Sequence, residues 1–277
     1  AEGIGLYRLE QAYLGRVVPP DIDELVNEMQ QTLRAAKGSA VYVRLLDIGS
    51  DKPLPFTKFM AETNPSLGRR GIRFLREYPD LLKTQLQAIL ELAREFEVRI
   101  LVPMVTLPDD VSVVKALLTE LCSQQRIASP PSLGAMIETP AAALAARKIV
   151  EHVDFLSFGT NDLTQTTMGL SRDDAEEAFL RTYVDIGLWP VNPFQQIDPI
   201  GVGSLIRQAI ESGRAANPGL EIGVCGEHGG DPVSIRYFHE WGVDYVSCSP
   251  PRLPIARLAA AQAALLAAVT DDSAGGV

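Results

Sequence analysis

The sequence has little of what marks a secreted, membrane-spanning or nucleic-acid-binding protein. Its cysteines are only three, Cys122, Cys225 and Cys248, without a CxxC pair, so a disulfide framework is not expected. Basic residues are outnumbered 25 to 35 by acidic ones, and the formal charge of −10 argues against a nucleic-acid or anionic-membrane surface. No apolar run approaches the roughly 20 residues of a membrane span, and no basic-then-apolar leader opens the chain. We therefore expect a cytoplasmic protein.

What the sequence does contain is an ordinary globular core with a regular alternation of elements. The 277 residues are 46% hydrophobic and 22% charged, which suits one α/β barrel or two small domains. Short apolar runs typical of buried parallel strands alternate with longer helical segments. The predicted strands are Ile4–Tyr7, Ala40–Leu46, Arg99–Val105, Leu133–Ile137, Val153–Phe158, Glu221–Cys225 and Asp244–Cys248. The predicted helices are Asp21–Ala36, Asp80–Phe96, Asp109–Leu121, Pro140–Glu151, Gly203–Ala216, Pro232–Trp241 and Ile255–Val269.

The strand count decides between two architectures. Seven strands fall one short of a (β/α)₈ barrel, and an open seven-stranded sheet is the alternative. We favour a TIM-type (β/α)₈ barrel that lacks its first βα unit in this chain. It would occupy residues 1–270 as one domain, followed by a disordered tail at 271–277. Two long connections, Gly49–Arg73 and Ser171–Asp198, are expected to be functional or to form a lid.

The stretch 133–165 carries the strongest chemical signal. One predicted strand ends in Glu138, and the next ends in Gly159-Thr160-Asn161-Asp162. Parallel strands joined by a helix have their carboxyl ends on the same rim, so Glu138 and Asp162 should lie together. Two carboxylates on one rim suit a hard divalent cation such as Mg²⁺ with an anionic substrate attached.

Other strand ends add to this rim. The residues there are Arg8, Arg44, Met104, Glu138, Asn161, Asp162, Cys225 and Ser249. Arginine binds phosphate or carboxylate oxygens in bidentate fashion, so the set predicts a combined anion and metal site. Each residue also has a structural interpretation. Arg8 and Arg44 could form rim ion pairs, and Cys225 could be an inert core thiol. Glu138 could cap the helix that begins at Pro140, and the Asn161-Asp162 pair could cap a helix that opens at Leu163. His228 could be a ligand or base, or could hold a glycine-rich turn, the reading we favour.

Several motifs resemble one known family over nearly the whole chain. They are GIGLYRLE (3–10), VRLLDIGSDKPLPF (43–56), NPSLGRRGIR (64–73), MIETPAA (136–142), DFLSFGTNDLTQ (154–165), GLSRDD (169–174) and VCGEHGGDP (224–232). The family is that of the phosphoenolpyruvate-binding (β/α)₈ barrels of pyruvate phosphate dikinase, phosphoenolpyruvate synthase and enzyme I of the sugar phosphotransferase system. Residues 43–56 are closer to enzyme I, whereas the chain from Phe155 onward resembles pyruvate phosphate dikinase.

The resemblance implies a role for each matching residue. Cys225 would be the acid–base at C3 of the enolate of pyruvate, and Glu138 and Asp162 would bind Mg²⁺. Arg70, Lys52 and Glu227 match family motifs but are assigned only to the surroundings of the site or its rim. The implied ligands of the phosphoenolpyruvate phosphate and carboxylate are Arg8, Arg44, Asn161 and the backbone of Gly159 and Thr160, with Arg172 assisting.

The chain also departs from the family pattern. Leu9 stands where the family has a threonine after the first arginine, and a further family arginine on the first strand has no counterpart. The resemblance implies a phosphohistidine on a separate domain outside this chain, and a homodimer. Three functions therefore remain open: a domain of a pyruvate phosphate dikinase-like phosphotransferase, of an enzyme I-type protein phosphotransferase, or a non-catalytic phosphoenolpyruvate-sensing or dimerisation domain.

Overall fold

Seven parallel strands in sequence order form the centre of the molecule. The structure is a computed structural model that describes residues 1–52, 54–57 and 61–274. Neighbouring strands pair in the order β1 to β7, which curves the sheet into a nearly closed barrel. The strands are β1 (Ile4–Arg8), β2 (Val41–Arg44), β3 (Val98–Val102), β4 (Leu133–Ile137), β5 (Phe155–Gly159), β6 (Glu221–Cys225) and β7 (Tyr245–Val246). The predicted barrel is therefore confirmed, and the open sheet is not found.

Helices surround the barrel and supply the other half of its core. Their bounds are α1 (Glu10–Tyr13), α2 (Ile22–Ala35), α3 (Ile72–Glu77), α4 (Pro79–Leu92), α5 (Pro108–Gln125), α6 (Pro140–Leu144), α7 (Ala146–Ile149), α8 (Thr160–Met168), α9 (Arg172–Ala178), α10 (Leu180–Asp185), α11 (Gly201–Ala216), α12 (Pro232–Glu240) and α13 (Leu253–Ala274). Asp21, Thr139 and Asp231 each accept a hydrogen bond at the start of the following helix, as their sequence contexts predict. No helix in these described ranges is long and apolar enough to cross a membrane.

Alternating side chains explain why most of the strands are apolar throughout. Outward residues such as Val43, Ile100 and Val224 join the large core between barrel and helices. Inward residues, including Leu101 and Met136, fill the barrel itself. Both faces of each central strand are thus removed from water, and the outer apolar surface supplies most of the hydrophobic stabilisation.

The same alternation aims the last inward residue of several strands into the mouth of the barrel. Arg44 follows Tyr42 by two positions on β2, and Cys225 follows Gly223 on β6. Glu138 follows Met136 and comes directly after β4. Because the side-chain period of a strand is two, these groups share the barrel axis with the buried apolar residues below them.

Polar side chains close the opposite end of the barrel. Arg99 Nη1 donates to both carboxylate oxygens of Glu221 at 2.7 Å and to Tyr42 Oη at 2.7 Å, and Tyr42 Oη also donates to Glu221. These residues stand near the amino-terminal ends of β3, β6 and β2. The interior is therefore accessible from the carboxyl ends of the strands.

The barrel edges come close together without pairing. Within the described residues, β1 pairs only with β2, and β7 only with β6. A Cβ added at Gly5 would lie 2.7 Å from the Ser247 Cβ, so the glycine allows the two edges to approach. Edge residues such as Leu6 and Val246 are half-buried, whereas β4 and β5 are buried throughout.

Two sequence-based expectations need correction. The connection Ser171–Asp198 contains helices α9 and α10, which are too short for a periodic signal and depend on burial of Ala175 and Leu180. Residues 271–274, expected in the disordered tail, continue α13, because the alanine-rich segment before them favours helix propagation. Residues 275–277 lie outside the described residues, and the single-domain boundary at residue 270 stays a prediction.

We predict that Gly134→Ala destabilises the barrel. A Cβ at this inward position would overlap the Phe155 ring, which is buried on the neighbouring strand. Overpacking of this kind costs about 1–3 kcal/mol of the free energy of unfolding. Urea denaturation followed by circular dichroism would measure the loss. Gly219→Ala is the matched control, since its Cβ would meet only Asn217 Oδ1 at 3.7 Å; equal stability of both variants would contradict the packing argument.

Candidate active site

A cavity of about 790 Å³ opens at the carboxyl ends of the strands. Of the nine predicted site residues, Thr160 does not line it. The other eight do, and they are Arg8, Arg44, Glu138, Gly159, Asn161, Asp162, Arg172 and Cys225. The carboxyl ends of five strands and the first turns of α8 and α9 thus face one space, as expected for this face of a barrel.

Arg44 is held by two carboxylates at the end of β2. Its Nη2 lies 3.0 Å from Glu10 Oε1, and its Nη1 lies 3.1 Å from Asp47 Oδ2. Glu10 Oε1 also accepts from the Asp47 backbone N–H at 2.8 Å. The rim ion pair considered from the sequence therefore exists, and it fixes the guanidinium while leaving Arg44 on the cavity wall.

Arg70 joins this group from the long connection after β2. Its Nε and Nη2 donate to the two oxygens of Asp47 at 3.0 and 2.6 Å. Its Nη1 donates to Asp162 Oδ1 at 2.8 Å, across the cavity floor. Burial opposes ionisation of Asp47, but Arg44 and then Arg70 outweigh it and hold the pKa of this carboxyl below its usual range.

Glu138 is fully buried and only half satisfied. Its Oε1 accepts from the Met104 backbone N–H at 2.5 Å, while Oε2 has no hydrogen-bond partner in the described part of the chain. Burial, reinforced by the negative charges of Asp162 and Asp47, raises the pKa of Glu138 to about 8. A buried carboxylate oxygen without a partner is costly, which indicates that a ligand belongs beside it.

The residues present fit a Mg²⁺ ion at this position. A Cβ at Gly159 would lie 2.5 Å from Glu138 Oε2, so glycine leaves the space that a larger residue would fill. Within the described ranges no group of three or more His, Cys, Asp or Glu side chains could hold a metal. Mg²⁺ does not need one, because it is commonly bound through one or two carboxylates together with waters and substrate oxygens. Glu138 and Asp162 would provide such a pair.

Cys225 presents a buried, protonated thiol at the end of β6. Ser157 Oγ donates to its Sγ at 3.6 Å, and Sγ donates to the Phe158 carbonyl oxygen at 3.6 Å. Burial raises the pKa of the thiol to about 11, against the opposing effect of the Ser157 hydrogen bond. The group therefore carries its proton at neutral pH and can serve as a proton donor to a ligand in the cavity.

Thr160 lies behind the cavity wall, where it links two turns. Its Oγ1 lies 3.1 Å from the Cys225 carbonyl oxygen and 2.8 Å from His228 Nδ1. His228 Nε2 lies 2.8 Å from the Pro193 carbonyl oxygen, which can only accept, so Nε2 carries the proton. Burial lowers the pKa of His228. The histidine thus holds its turn against β5 and the long connection, as the sequence reading favoured.

The structure also settles the alternative readings at the helix starts. Thr139, rather than Glu138, caps α6, by accepting from the Ala142 N–H at 3.1 Å. Asn161 and Asp162 lie inside the first turn of α8, which starts at Thr160. Asn161 Oδ1 accepts from the Glu227 N–H at 3.2 Å, which ties it to the turn after β6.

Sequence reasoning missed the two acids that organise the arginines. Asp47 and Glu10 were not singled out, and Arg70 was placed only around the site, although it bridges two of the carboxylates. A signal was available: Asp47 is three residues beyond Arg44, and Glu10 is two beyond Arg8 at another strand end. Leu9, the departure from the family pattern, is fully buried in the outer core.

Comparison with known proteins agrees with the geometry. Residues 1–265 match the model of a family described as "PEP-utilising enzyme, PEP-binding domain". The chain is 38% identical to the chloroplastic pyruvate, phosphate dikinase of Flaveria trinervia, over 95% of this chain and 33% of that protein. It is 37% identical to the enzyme of Clostridium symbiosum, over 96% and 36%, and 43% identical to that of Rhizobium meliloti, over 90% and 28%. The chain thus spans about a third of the length of these curated relatives.

A solved structure supports the fold alone. An HpcH/Hpal aldolase/citrate lyase family protein from Burkholderia cenocepacia J2315 superimposes with a TM-score of 0.51 and 16% identity. The match covers 96% of this chain and 84% of that one. It shows a shared barrel architecture around different sequences.

We predict that His228→Gln makes the free energy of unfolding less sensitive to low pH. In the folded state the lowered pKa keeps His228 neutral, whereas the unfolded chain takes up a proton near pH 6.5. The wild type should therefore lose stability as the pH falls below about 6.5, and the variant should lose less. At pH 7.5 the variant should be less stable by about 1–3 kcal/mol, because it loses buried hydrogen bonds.

Urea unfolding between pH 5.5 and 7.5 would measure both effects. His239→Gln, at an exposed position on α12, is the control and should follow the wild type. If the free energy of unfolding of His228→Gln fell with pH as steeply as that of the wild type, the buried imidazole would not contribute to the acid sensitivity.

Proposed function

The chain belongs to the PEP-utilising enzyme family, in its PEP-binding domain, and from that premise we propose that it binds phosphoenolpyruvate and pyruvate within a pyruvate phosphate dikinase-like phosphotransferase. The observation that carries this proposal is the meeting, in one cavity, of a buried carboxylate oxygen without a partner in the described residues, a fixed arginine group and a buried thiol. The arginines match the phosphate and carboxylate of phosphoenolpyruvate, the thiol matches the methylene carbon to be protonated, and the carboxylate oxygen matches a cation bound with the substrate.

The basic side chains bind the anionic ends of the substrate in this proposal. Arg8, Arg44 and Arg172 line the cavity, and Arg44 is already oriented by Glu10 and Asp47. A guanidinium held in place before the ligand arrives loses little freedom on binding, so its hydrogen bonds contribute more to affinity. The guanidinium carbon of Arg172, on α9, lies 5.6 Å from the Phe194 ring centre, and this cation–π contact stabilises the position of the side chain.

The chain's own chemistry is the transfer of one proton. Phosphate leaves phosphoenolpyruvate for a histidine on another domain, with the P–O bond broken and an N–P bond formed. The remaining enolate takes the proton of the Cys225 thiol at C3 and becomes pyruvate; the reverse reaction returns that proton to sulfur. Mg²⁺ held by Glu138 and Asp162 would neutralise the negative charge that develops on the enolate oxygen.

The dikinase-like assignment is preferred over an enzyme I-type reaction because dikinases at 37–43% identity match most of this chain. Mg²⁺ dependence, a phosphohistidine domain elsewhere and a homodimer are parts of the same proposal. A non-catalytic sensing domain would need the same cavity but no working thiol, so binding and proton transfer are tested separately.

We predict that oxalate, a mimic of the pyruvate enolate, binds in a Mg²⁺-dependent manner. In Glu138→Gln, Mg²⁺ should no longer increase the affinity for oxalate. The amide keeps an acceptor for the Met104 N–H but removes the charge that a cation needs. Isothermal titration calorimetry of oxalate with and without Mg²⁺ would measure it. Glu151→Gln, on the surface beside Lys148, is the matched charge control and should behave as the wild type. Absence of oxalate binding to the wild type with Mg²⁺ would refute the proposed site.

We predict that Cys225→Ala abolishes exchange of pyruvate methyl protons with solvent while oxalate binding stays near the wild-type level. The thiol is the proton carrier in this proposal, and loss of a general acid–base typically lowers a rate about 10²–10⁴-fold. Proton NMR of pyruvate in deuterated water, with Mg²⁺ present, would follow the exchange. Cys122→Ala, which removes a buried thiol from α5, should exchange normally. Exchange by Cys225→Ala at the wild-type rate would favour a purely binding domain.

A further inference from the structure

The Arg70 guanidinium binds a carboxylate that the proposed function assigns to a metal ion. Arg70 Nη1 donates to Asp162 Oδ1 at 2.8 Å, and Asp162 is one of the two proposed metal ligands. Arg70 lines the same cavity as Asp162 and Glu138. A guanidinium and a metal ion compete for one carboxylate because both carry positive charge.

We propose that Arg70 is a built-in counter-cation that couples metal binding to anion binding. In the metal-free domain its guanidinium neutralises Asp162, and a bound anion replaces Asp162 as the acceptor of the Nη1 hydrogen bond, so that the carboxylate becomes available to Mg²⁺. This inference rests on the proposed function, because it takes Glu138 and Asp162 as the metal pair. It adds a thermodynamic role for a residue that sequence reasoning placed only around the site.

The geometry lets Arg70 leave Asp162 without leaving the site. Its Nε and Nη2 form a bidentate pair with Asp47, whose side chain is almost completely buried. Asp47 is fixed in turn by Arg44 at 3.1 Å. Only Nη1 has to change partner, and it already lies 3.5 Å from the Ser66 carbonyl oxygen. Because the guanidinium is planar and two of its nitrogens are held by Asp47, Nη1 stays in place, and the partly exposed Asp162 carboxylate is the group that moves when the contact breaks.

An anion in the cavity replaces the acceptor that Nη1 gives up. A phosphate or carboxylate oxygen on the cavity side of Arg70 can accept from it, and a charge-assisted bond of this kind is about twice as strong as a neutral one. In the described part of the chain Glu138 forms no hydrogen bond with Arg70: its Oε1 accepts from the Met104 N–H, and its Oε2 has no partner. Metal and anion should thus each increase the affinity of the other, as linkage requires for any coupling free energy.

The size of the effect follows from the contact that must be broken. Hydrogen bonds between charged groups contribute enough that loss of one changes an equilibrium constant by roughly tenfold or more. Mg²⁺ alone should bind the wild type weakly, and saturating oxalate should raise the Mg²⁺ affinity of the wild type by at least this tenfold factor. Removing Arg70 should give the tighter Mg²⁺ affinity without any anion.

Calorimetric titration of Mg²⁺ into the whole chain, with and without saturating oxalate, tests this inference on the wild type and three variants. Arg70→Gln should bind Mg²⁺ alone about tenfold more tightly than the wild type, and the increase in Mg²⁺ affinity that oxalate causes should be about tenfold smaller than in the wild type. Arg70→Lys should show the same direction of change, because one ammonium group cannot hold Asp47 in bidentate fashion and still reach Asp162. It keeps the charge beside the buried Asp47 and so serves if Arg70→Gln does not fold.

Arg73→Gln is the matched control. Arg73 lies three residues after Arg70, in the first turn of α3, and carries the same charge, but it donates to the Leu67 and Gly68 carbonyl oxygens and to Thr106 Oγ1. Its loss should leave both Mg²⁺ titrations unchanged. If Arg73→Gln gained as much Mg²⁺ affinity as Arg70→Gln, the gain would come from the change in net charge alone, and the inference would be overturned.

The two proposals fail in different ways. A wild type that binds oxalate with Mg²⁺, together with Arg70 variants that bind Mg²⁺ alone no more tightly, would overturn the counter-cation role and leave the proposed function standing. A wild type that binds neither oxalate nor Mg²⁺ under any condition would overturn the proposed function, and the inference with it.

Discussion

The buried carboxylate of Asp47 is the contact on which the site depends. Both of its oxygens accept hydrogen bonds from Arg70, and it is ion-paired with Arg44, so one acid fixes two guanidinium groups that start from different elements. An acid this deeply buried would be costly alone, and two arginines would repel each other without it. The arrangement is stable because the charges neutralise one another where water is scarce. Glu10 and Asp162 extend the same alternation of charge to β1 and β5.

The barrel brings the other site residues next to this charge network. Paired parallel strands bring Arg44, Glu138 and Cys225 to one rim, and the apolar residues beneath them leave few competing polar partners. Burial raises the pKa of the Cys225 thiol, which keeps its proton, and it leaves Glu138 Oε2 without a hydrogen-bond partner in the described residues. A ligand that brings both a cation and an anion satisfies both kinds of group together. The proposed binding and chemistry would thus depend on the same burial that stabilises the fold.

Local sequence was sufficient wherever a short-range pattern carried the information. Leu133–Ile137 and Glu221–Cys225 were predicted with the bounds the structure shows, because buried parallel strands are short apolar runs with clear ends. The Thr139 and Asp231 caps depend on contacts three residues apart, and they too are as predicted. Helices α9 and α10 were not foreseen, since such short helices are formed by packing rather than by periodicity.

The sequence by itself determined the barrel class, the order of its strands and the identity of the groups at their carboxyl ends. These follow from alternation along each strand and from the rule that parallel strands end on one rim. Only the tertiary structure decided which charges meet. That Arg70 bridges Asp47 and Asp162, 23 and 92 residues away, depends on how a long connection folds over the rim. No local pattern encodes such a contact, because its energy comes from burial shared by segments distant in the chain.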